Sequence, residues 1–433
     1  MAARFGERLL AEVRGEGLDE LLRDLRALHP RSAPSPSLGV RELDELLDAF
    51  LGRSSSSTVE HEHEQERAAP VSDPPEQWEG VDDAVPEDGF DAPSTALPQP
   101  NRGVIETQSR RRKRCPVVEI ASASSAAGKS QLLYYLTAVA VLPARVGGRD
   151  AAVVFLDTDG RFDAGRLRDV AASIIRQDVK TSTAPADVEA VDMEIRSALT
   201  HVHVLRPQSS SSLLATLRSL DSYLLDLPAH RSANRPLAAI LLDSASAFFW
   251  QDRLRDEVAR TEEIGRPAAD VERDRDENRS FHMSVLYRKL VDELKRLQGV
   301  FDCAVVYTAS GTARVRERTR GDTRPRLSVR PYLPAPWGAF PVMRVVVQRD
   351  PVRPFPPSLT PEEAPGEAPL RQEVVGRGRF SGWVDDEVPR EMKGRGLFSF
   401  CITAEGVVFE DGDHNHDPGG QWLVYMYSTW MIS

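Results

Sequence analysis

The sequence predicts an α/β fold in which a mostly parallel sheet is flanked by helices on both faces. The prediction rests on short, continuously apolar segments that recur from residue 117 onward, on the longer amphipathic segments between them, and on the glycine- or acid-bearing turns that close several of the apolar runs. Strands that are apolar throughout and joined by helical crossovers belong in a parallel sheet with no solvent-facing side.

Taken in order, the strand candidates are 117–121, 152–156, 201–205, 238–242, 304–308 and 343–347. The helix candidates among them are 129–141, 163–177, 212–227 and 281–297. Together they make a core over 116–350. A charge-dense stretch, 251–280, follows the fourth strand, and an arginine-rich one, 311–330, follows the fifth. Both leave the sheet at the carboxyl ends of strands, where ligand sites of α/β proteins form. Residues 351–410 are expected to add a loop, 351–369, and a hairpin over 397–409 packed on the core. Residues 1–52 read as two short amphipathic helices, 5–28 and 37–51, with a linker. Between them and the core, 53–115 turns to serine, proline and acid. That segment has too little apolar surface to offset its ordering entropy, so a disordered insertion is expected. The tail, 411–433, has aromatic residues but no readable pattern.

Composition narrows the function. A chain of 433 residues that is 41% hydrophobic builds an ordinary core, which excludes a collagen-like or wholly disordered protein. No stretch approaches the roughly 18 to 20 uninterrupted apolar residues that cross a bilayer. The first ten residues lack the apolar block of a secretory signal, so an intracellular address is expected. The three cysteines stand apart from one another and from histidines at ligand spacing, which argues against a disulfide framework or structural zinc. The pairs His61/His63 and His414/His416 sit in polar stretches and read as solvent-exposed rather than metal-binding. A net charge of -11 argues against indiscriminate coating of nucleic acid and leaves local basic patches open. One such patch, RRRKR at 110–114, is either a nuclear-import signal or a solvated charge run; its place at the end of a flexible segment favours import.

The chemistry concentrates at strand ends. Residues 123–130 read ASSAAGKS, after a strand and opening a helix. A phosphate-binding loop needs GxxxxGK[ST]: inward backbone amides around the β-phosphate, a lysine on the β/γ oxygens and a hydroxyl on Mg²⁺. Gly128, Lys129 and Ser130 fit, whereas Ala123 stands where the first glycine belongs; a chance GKS at a helix start is the competing reading. The strand LAAILLDS, 237–244, ends in Asp243, placed to hold Mg²⁺ through water, or else is simply a strand with a polar end. Loop first and acidic strand later is the order that favours function. FLDTDGRF, 155–162, closes another strand with Asp157 and Asp159. Either carboxylate could orient a water, but for Asp157 a cap on backbone amides is the preferred reading.

These segments, with LLYYLTAVAVLP (132–143), FLDTDGRFDAGRL (155–167), LLDSASAFFWQDR (241–253) and RPYLPAPW (330–337), resemble the RecA-type recombinase core. Within that family they look like the eukaryotic recombinase paralogues of the XRCC type, and ITAEGVVF (402–409) is similar to their closing hairpin. The resemblance covers 116–347, with a weaker echo in 6–28. It implies a RecA-like P-loop core and a nuclear homologous-recombination repair protein. Such a protein works with other recombinase-paralogue subunits, on single-stranded or branched DNA, at double-strand breaks and stalled forks.

The resemblance also implies ATP and Mg²⁺ as cofactors. Gly128, Lys129 and Ser130 would cradle the triphosphate, Ser130 and Asp243 would hold the metal, and Arg166 would stack on adenine. Asp159 falls where active recombinases place a catalytic glutamate, and its shorter side chain sets the attacking water back. Gly311 stands where the core carries a γ-phosphate-sensing glutamine. Ala123, Asp159 and Gly311 all point to weak or static nucleotide binding. The alternatives are an active DNA-dependent ATPase that remodels recombinase filaments and a P-loop small-molecule kinase, for which neither lid nor phosphoacceptor site is visible. Arg314, Arg316, Arg318, Arg320, Arg324, Arg326 and Arg330 lie where recombinases place their second DNA-contacting loop. Arginines there would neutralise phosphates. However, Glu317 and Asp322 interrupt the run and it lacks aromatic residues to stack on bases, so a solvated loop is the equal alternative.

Overall fold

The computed structural model describes residues 37–48, 115–181, 188–276, 281–315, 327–352, 354–356, 358–385 and 397–410. The expectations for 1–36, the insertion as far as 114 with its basic run, and the tail 411–433 lie outside the described residues. So do those for Arg316, Arg318, Arg320, Arg324 and Arg326.

The strands are β1 (Val117–Ser122), β2 (Ala152–Asp157), β3 (Val202–Leu205), β4 (Leu237–Asp243), β5 (Ala304–Val315), β6 (Leu327–Pro331), β7 (Met343–Arg349), β8 (Arg379–Val384), β9 (Leu397–Ile402) and β10 (Val407–Phe409). They form a sheet ordered β10-β9-β8-β7-β1-β5-β4-β2-β3, with β6 paired to β5. The six strands from β7 through β1, β5, β4 and β2 to β3 run parallel, as their apolar character predicts. The strands β8, β9 and β10 extend the sheet antiparallel beyond β7.

The helices are α1 (41–48), α2 (Lys129–Val141), α3 (Ala164–Thr181), α4 (Val188–Leu199), α5 (Ser210–Leu225), α6 (Phe249–Glu262), α7 (Ala268–Asp276), α8 (Met283–Phe301), α9 (Ala335–Gly338) and α10 (Ala364–Gly376). Successive strand residues point to opposite faces and build two cores. Val153 and Phe155 join the cluster with α1 to α4, while Val154 and Leu156 join the one with α5 and α8. Segment 37–48 belongs to the first: Leu38, Leu43 and Leu47 are buried with Val139 of α2. The Asp44 carboxylate accepts hydrogen bonds from the Leu38 and Gly39 amides, and Arg149 donates to the Ser37 carbonyl. Mid-strand Glu119 is buried, with Tyr307 and Arg344 of the two neighbouring strands donating to its carboxylate. Burial raises its pKa, against the pull of the Arg344 charge.

The structure departs from the expected elements in four places. β5 runs on to Val315 and folds back as a hairpin with β6. The stretch 251–280 contains most of α6 and all of α7. α4 and β8 had no sequence assignment. The expected loop 351–369 gives way to α10 at Ala364: Pro365 sits in the first turn, where it forfeits no hydrogen bond, whereas Pro369 lies inside the helix and removes one. Among the described residues no helix is long and apolar enough to cross a membrane.

Candidate functional site

β1 delivers the chain into an exposed loop, 123–126, and then into α2. Gly128 has φ 92, and a Cβ there would come within 3.1 to 3.3 Å of Ile402, Phe380 and Phe400 on the C-terminal strands. Glycine is thus required both by backbone conformation and by space. Among the described residues the non-glycines with positive φ are Ala126, Asp150 and Asp302, so Ala123 holds an ordinary conformation and its Cβ brings no strain. Lys129 places its ammonium 2.5 Å from the Ser122 hydroxyl and 3.5 Å from that of Ser310, its neighbour across β1 and β5. No carboxylate among the described residues lies within ion-pair distance of it. Burial lowers the Lys129 pKa, while the more distant Asp243 and Asp159 pull it back up. Ser130 follows, half-buried, at the start of α2.

Asp243 ends β4 on the same edge of the sheet. Thr308 of β5 donates to one of its oxygens at 2.6 Å, and the other has no donor among the described residues. Its register partner on β2 is Asp157, whose carboxylate accepts from the Arg161 and Phe162 amides (3.0 Å each) and from Arg206 at 3.1 Å. Asp157 is therefore the backbone cap that the sequence favoured. Asp159 lies two residues on, solvent-facing. Partial burial raises its pKa, helped by Asp243 and Asp157 and opposed by Arg161 and Lys129. The fold thus brings Lys129, Asp159 and Asp243 into one electrostatic neighbourhood. It also gathers Ser122, Thr308 and Ser310, which motif reading missed; the available signal was a polar residue at the end of each apolar strand.

Arg166 of α3 has its guanidinium edge occupied. It donates to Gln131 beside the loop and to the carbonyls of Thr403, Ala404 and Gly406 in the β9–β10 turn, at 2.6 to 3.3 Å. Four of its five N–H groups are thereby engaged, so a base could meet it mainly by stacking. Gly311 stands at the root of the β5–β6 hairpin, opposite Pro331.

Arg314 and Arg330 lie on the same face of that hairpin, since Thr312 pairs with Arg330 and Arg314 with Ser328. Both are exposed and line a cleft of roughly 690 Å³ between the hairpin and α6. The other arginines there are matched: Arg253 pairs with Glu257, Arg260 with Asp256 and Arg344 with Glu119. Arg314 and Arg330 have no carboxylate partner among the described residues. Trp337, whose buried indole N–H has no acceptor among the described residues, also lines the cleft. Near it Phe249, Trp250 and Tyr332 cluster with ring centroids 5.2 to 5.8 Å apart. Of these rings Phe249 lines the cleft itself.

No family model matches the chain. It is 26% identical over 223 residues to the DNA repair protein XRCC2 of Mus musculus, across 52% of this chain and 69% of the relative. It is 27% identical over 122 residues to the DNA repair and recombination protein RadA of Methanoculleus marisnigri, and 30% identical over 98 residues to the DNA repair protein RAD51 homolog 2 of Mus musculus. The last two matches span 33% and 25% of those relatives. The resemblance to the RecA-type recombinases and their XRCC-type paralogue is borne out, and with it the RecA-like α/β fold.

Proposed function

We propose that this RecA-like chain is a nuclear recombinase paralogue of homologous-recombination repair. It holds ATP with Mg²⁺ weakly or statically and works as one subunit of a paralogue complex supporting filament assembly on single-stranded or branched DNA. The observation that carries the nucleotide reading is the Lys129 ammonium, drawn into the protein against two serine hydroxyls with no carboxylate of the described residues within ion-pair distance. A partly buried cation without a counter-ion is costly, and an anionic group at the loop relieves it. In this reading Gly128, Lys129 and the loop amides hold the phosphates. Ser130 and the free oxygen of Asp243 hold the metal, and the open face of Arg166 takes the base. Asp159, one methylene short, and Gly311, without a side chain, favour slow turnover. Arg314 and Arg330, with Arg316, Arg318, Arg320, Arg324 and Arg326 on the same loop, contact DNA phosphates. The names of all three relatives support the repair role, and the basic run at 110–114 supports the nuclear address.

Titration with a fluorescent ATP analogue and Mg²⁺ tests the site. Saturable binding by the wild type and its loss in Lys129→Ala are expected; equal affinity in both would overturn the reading. Co-expression with other recombinase paralogues, followed by size-exclusion chromatography, tests the assembly.

A further inference from the structure

Helix α6 is amphipathic the wrong way round. Its buried residues are two carboxylates and one alanine, Ala259. Asp252, 1% exposed, accepts hydrogen bonds from Ser210 of α5 and from Tyr287 of α8 (3.2 Å). Asp256, 6% exposed, accepts from the Met283 amide at the start of α8 at 2.9 Å and pairs with Arg260 at 2.9 Å. Its outward residues are apolar: Trp250, Leu254 and Val258 are 57%, 63% and 50% exposed. At a spacing of four they form one stripe. The buried carboxylates fix the rotation of the helix, so the stripe cannot turn inward to join the core. A surface helix normally arranges these faces the other way, and an exposed apolar stripe on a pinned helix marks an interface.

The stripe is suited to a copy of itself. A cleft of about 410 Å³ adjoins it; Leu254, Val258, Ala259 and Phe281 line it together with five charged residues, of which Arg255 lies 4.8 Å from the Phe281 ring centroid. If a second α6 lies antiparallel across the first with a two-fold axis through Leu254, the exposed Trp250 of each copy falls opposite Val258 of the other, beside that cleft. The same placement brings Arg253 of one copy within about 3 Å, along the axis, of Glu257 of the other. These two now pair within one helix at 3.1 Å on the exposed surface, where the Arg253 guanidinium also lies 5.6 Å from the Trp250 ring centroid, so the exchange keeps both Arg253 and Trp250 at the contact. A surface that complements itself in shape and charge is what an isologous contact requires.

We propose that α6 is the contact surface of a homodimer of this chain, in which Trp250 of each protomer enters the cleft beside Val258 of the other. The contact is small and its dimer correspondingly weak. Trp250 and Leu254 at its centre dominate the affinity, as buried aromatic and apolar anchors do.

The experiment is sedimentation velocity on the full chain over a rising concentration series, without nucleotide or DNA, so that its outcome is independent of the proposed function. A concentration-dependent dimer is expected. Trp250→Ala and Leu254→Glu should each raise the dissociation constant at least tenfold, measured under conditions where circular dichroism shows each variant folded. Arg253→Glu should weaken the dimer, and the double variant Arg253→Glu, Glu257→Arg should restore it. Both charged residues are exposed, so the swap reads the contact even where Leu254→Glu disturbs folding. A wild type that stays monomeric at its highest soluble concentration overturns the proposal. So does a dimer indifferent to Trp250→Ala and Leu254→Glu, or a double variant that fails to recover.

Discussion

Gly311 of β5 lies so close to Arg330 of β6 that a Cβ at 311 would overlap the Arg330 carbonyl oxygen. The residue that the family resemblance sets in the place of a phosphate-sensing glutamine is, in this fold, the root of a hairpin. The sensor cannot simply be restored. Gly311→Gln should cost roughly 2 to 4 kcal/mol, because backbone rather than a flexible side chain must give way. Urea denaturation measures the loss, and phosphate release should stay at background. A variant as stable as the wild type would mean that β6 does not sit against β5 here.

Lys129 gives opposite expectations for the empty and the loaded protein. Burial holds its pKa below that of the unfolded chain, so the folded state binds this proton less readily and the charge opposes folding at neutral pH. Lys129→Met should therefore leave the empty protein at least as stable as the wild type. The wild type should gain about 2.7 kcal/mol at ATP concentrations a hundred times its dissociation constant, and the variant nothing. Thermal shift with and without Mg²⁺·ATP measures both. A variant still stabilised by nucleotide would remove Lys129 from the site.

Asp159 tests why turnover should be slow. Its carboxylate shares the neighbourhood of Lys129 and Asp243 but ends one methylene short of a glutamate. Since an error of about 1 Å costs up to about 100-fold in rate, Asp159→Glu should raise hydrolysis from background by about 10- to 100-fold at unchanged nucleotide affinity. A phosphate-release assay reads the rate; no increase would place the defect elsewhere, with Gly311 the first suspect.

The parallel sheet and its crossover helices were legible because continuous apolar runs and helical periodicity are local patterns. α2 runs over Lys129–Val141, the span expected from sequence. The glycine turn at Gly128 opening α2, the acid Asp243 closing β4 and the capping role of Asp157 were legible for the same reason. The β5–β6 hairpin was not: nothing local says that Val315 leads back to Leu327, and Gly311 looks like a missing side chain until Arg330 stands beside it. Nor was the serine pair around Lys129, since Ser122 and Ser310 meet only through strand register. In α6 the sequence misleads, because its carboxylates find partners on α5 and α8 that no pattern within 249–262 announces.

His203, buried on edge strand β3, predicts acid sensitivity. Its ring nitrogens bond the Tyr223 hydroxyl and the Ser232 hydroxyl, each at 2.9 Å, and the His230 ring lies 5.0 Å away. Burial, then His230 and His201, bring its pKa down to about 4. A folded pKa below the unfolded value of about 6.5 means full stability above that pH and progressive loss as pH falls toward 4, of about 3 kcal/mol. His203→Gln should flatten that part of the curve. Urea midpoints for both proteins between pH 7 and 4 check it, and parallel curves would show that other groups carry the acid sensitivity.

Arg314 and Arg330 decide between a DNA surface and a solvated loop. They share one face of the hairpin, lack carboxylate partners and look into a cleft whose other arginines are already neutralised. If they contact phosphates, each releases a counter-ion on binding, and on a single strand each contributes about 0.7 to the slope of log affinity against log salt. The double variant Arg314→Ser, Arg330→Ser should therefore flatten that slope by about 1.4 and weaken binding alike for all sequences. Fluorescence anisotropy on a labelled oligonucleotide at several salt concentrations measures it. An unaltered slope returns both arginines to solvent and moves any DNA contact away from this hairpin face.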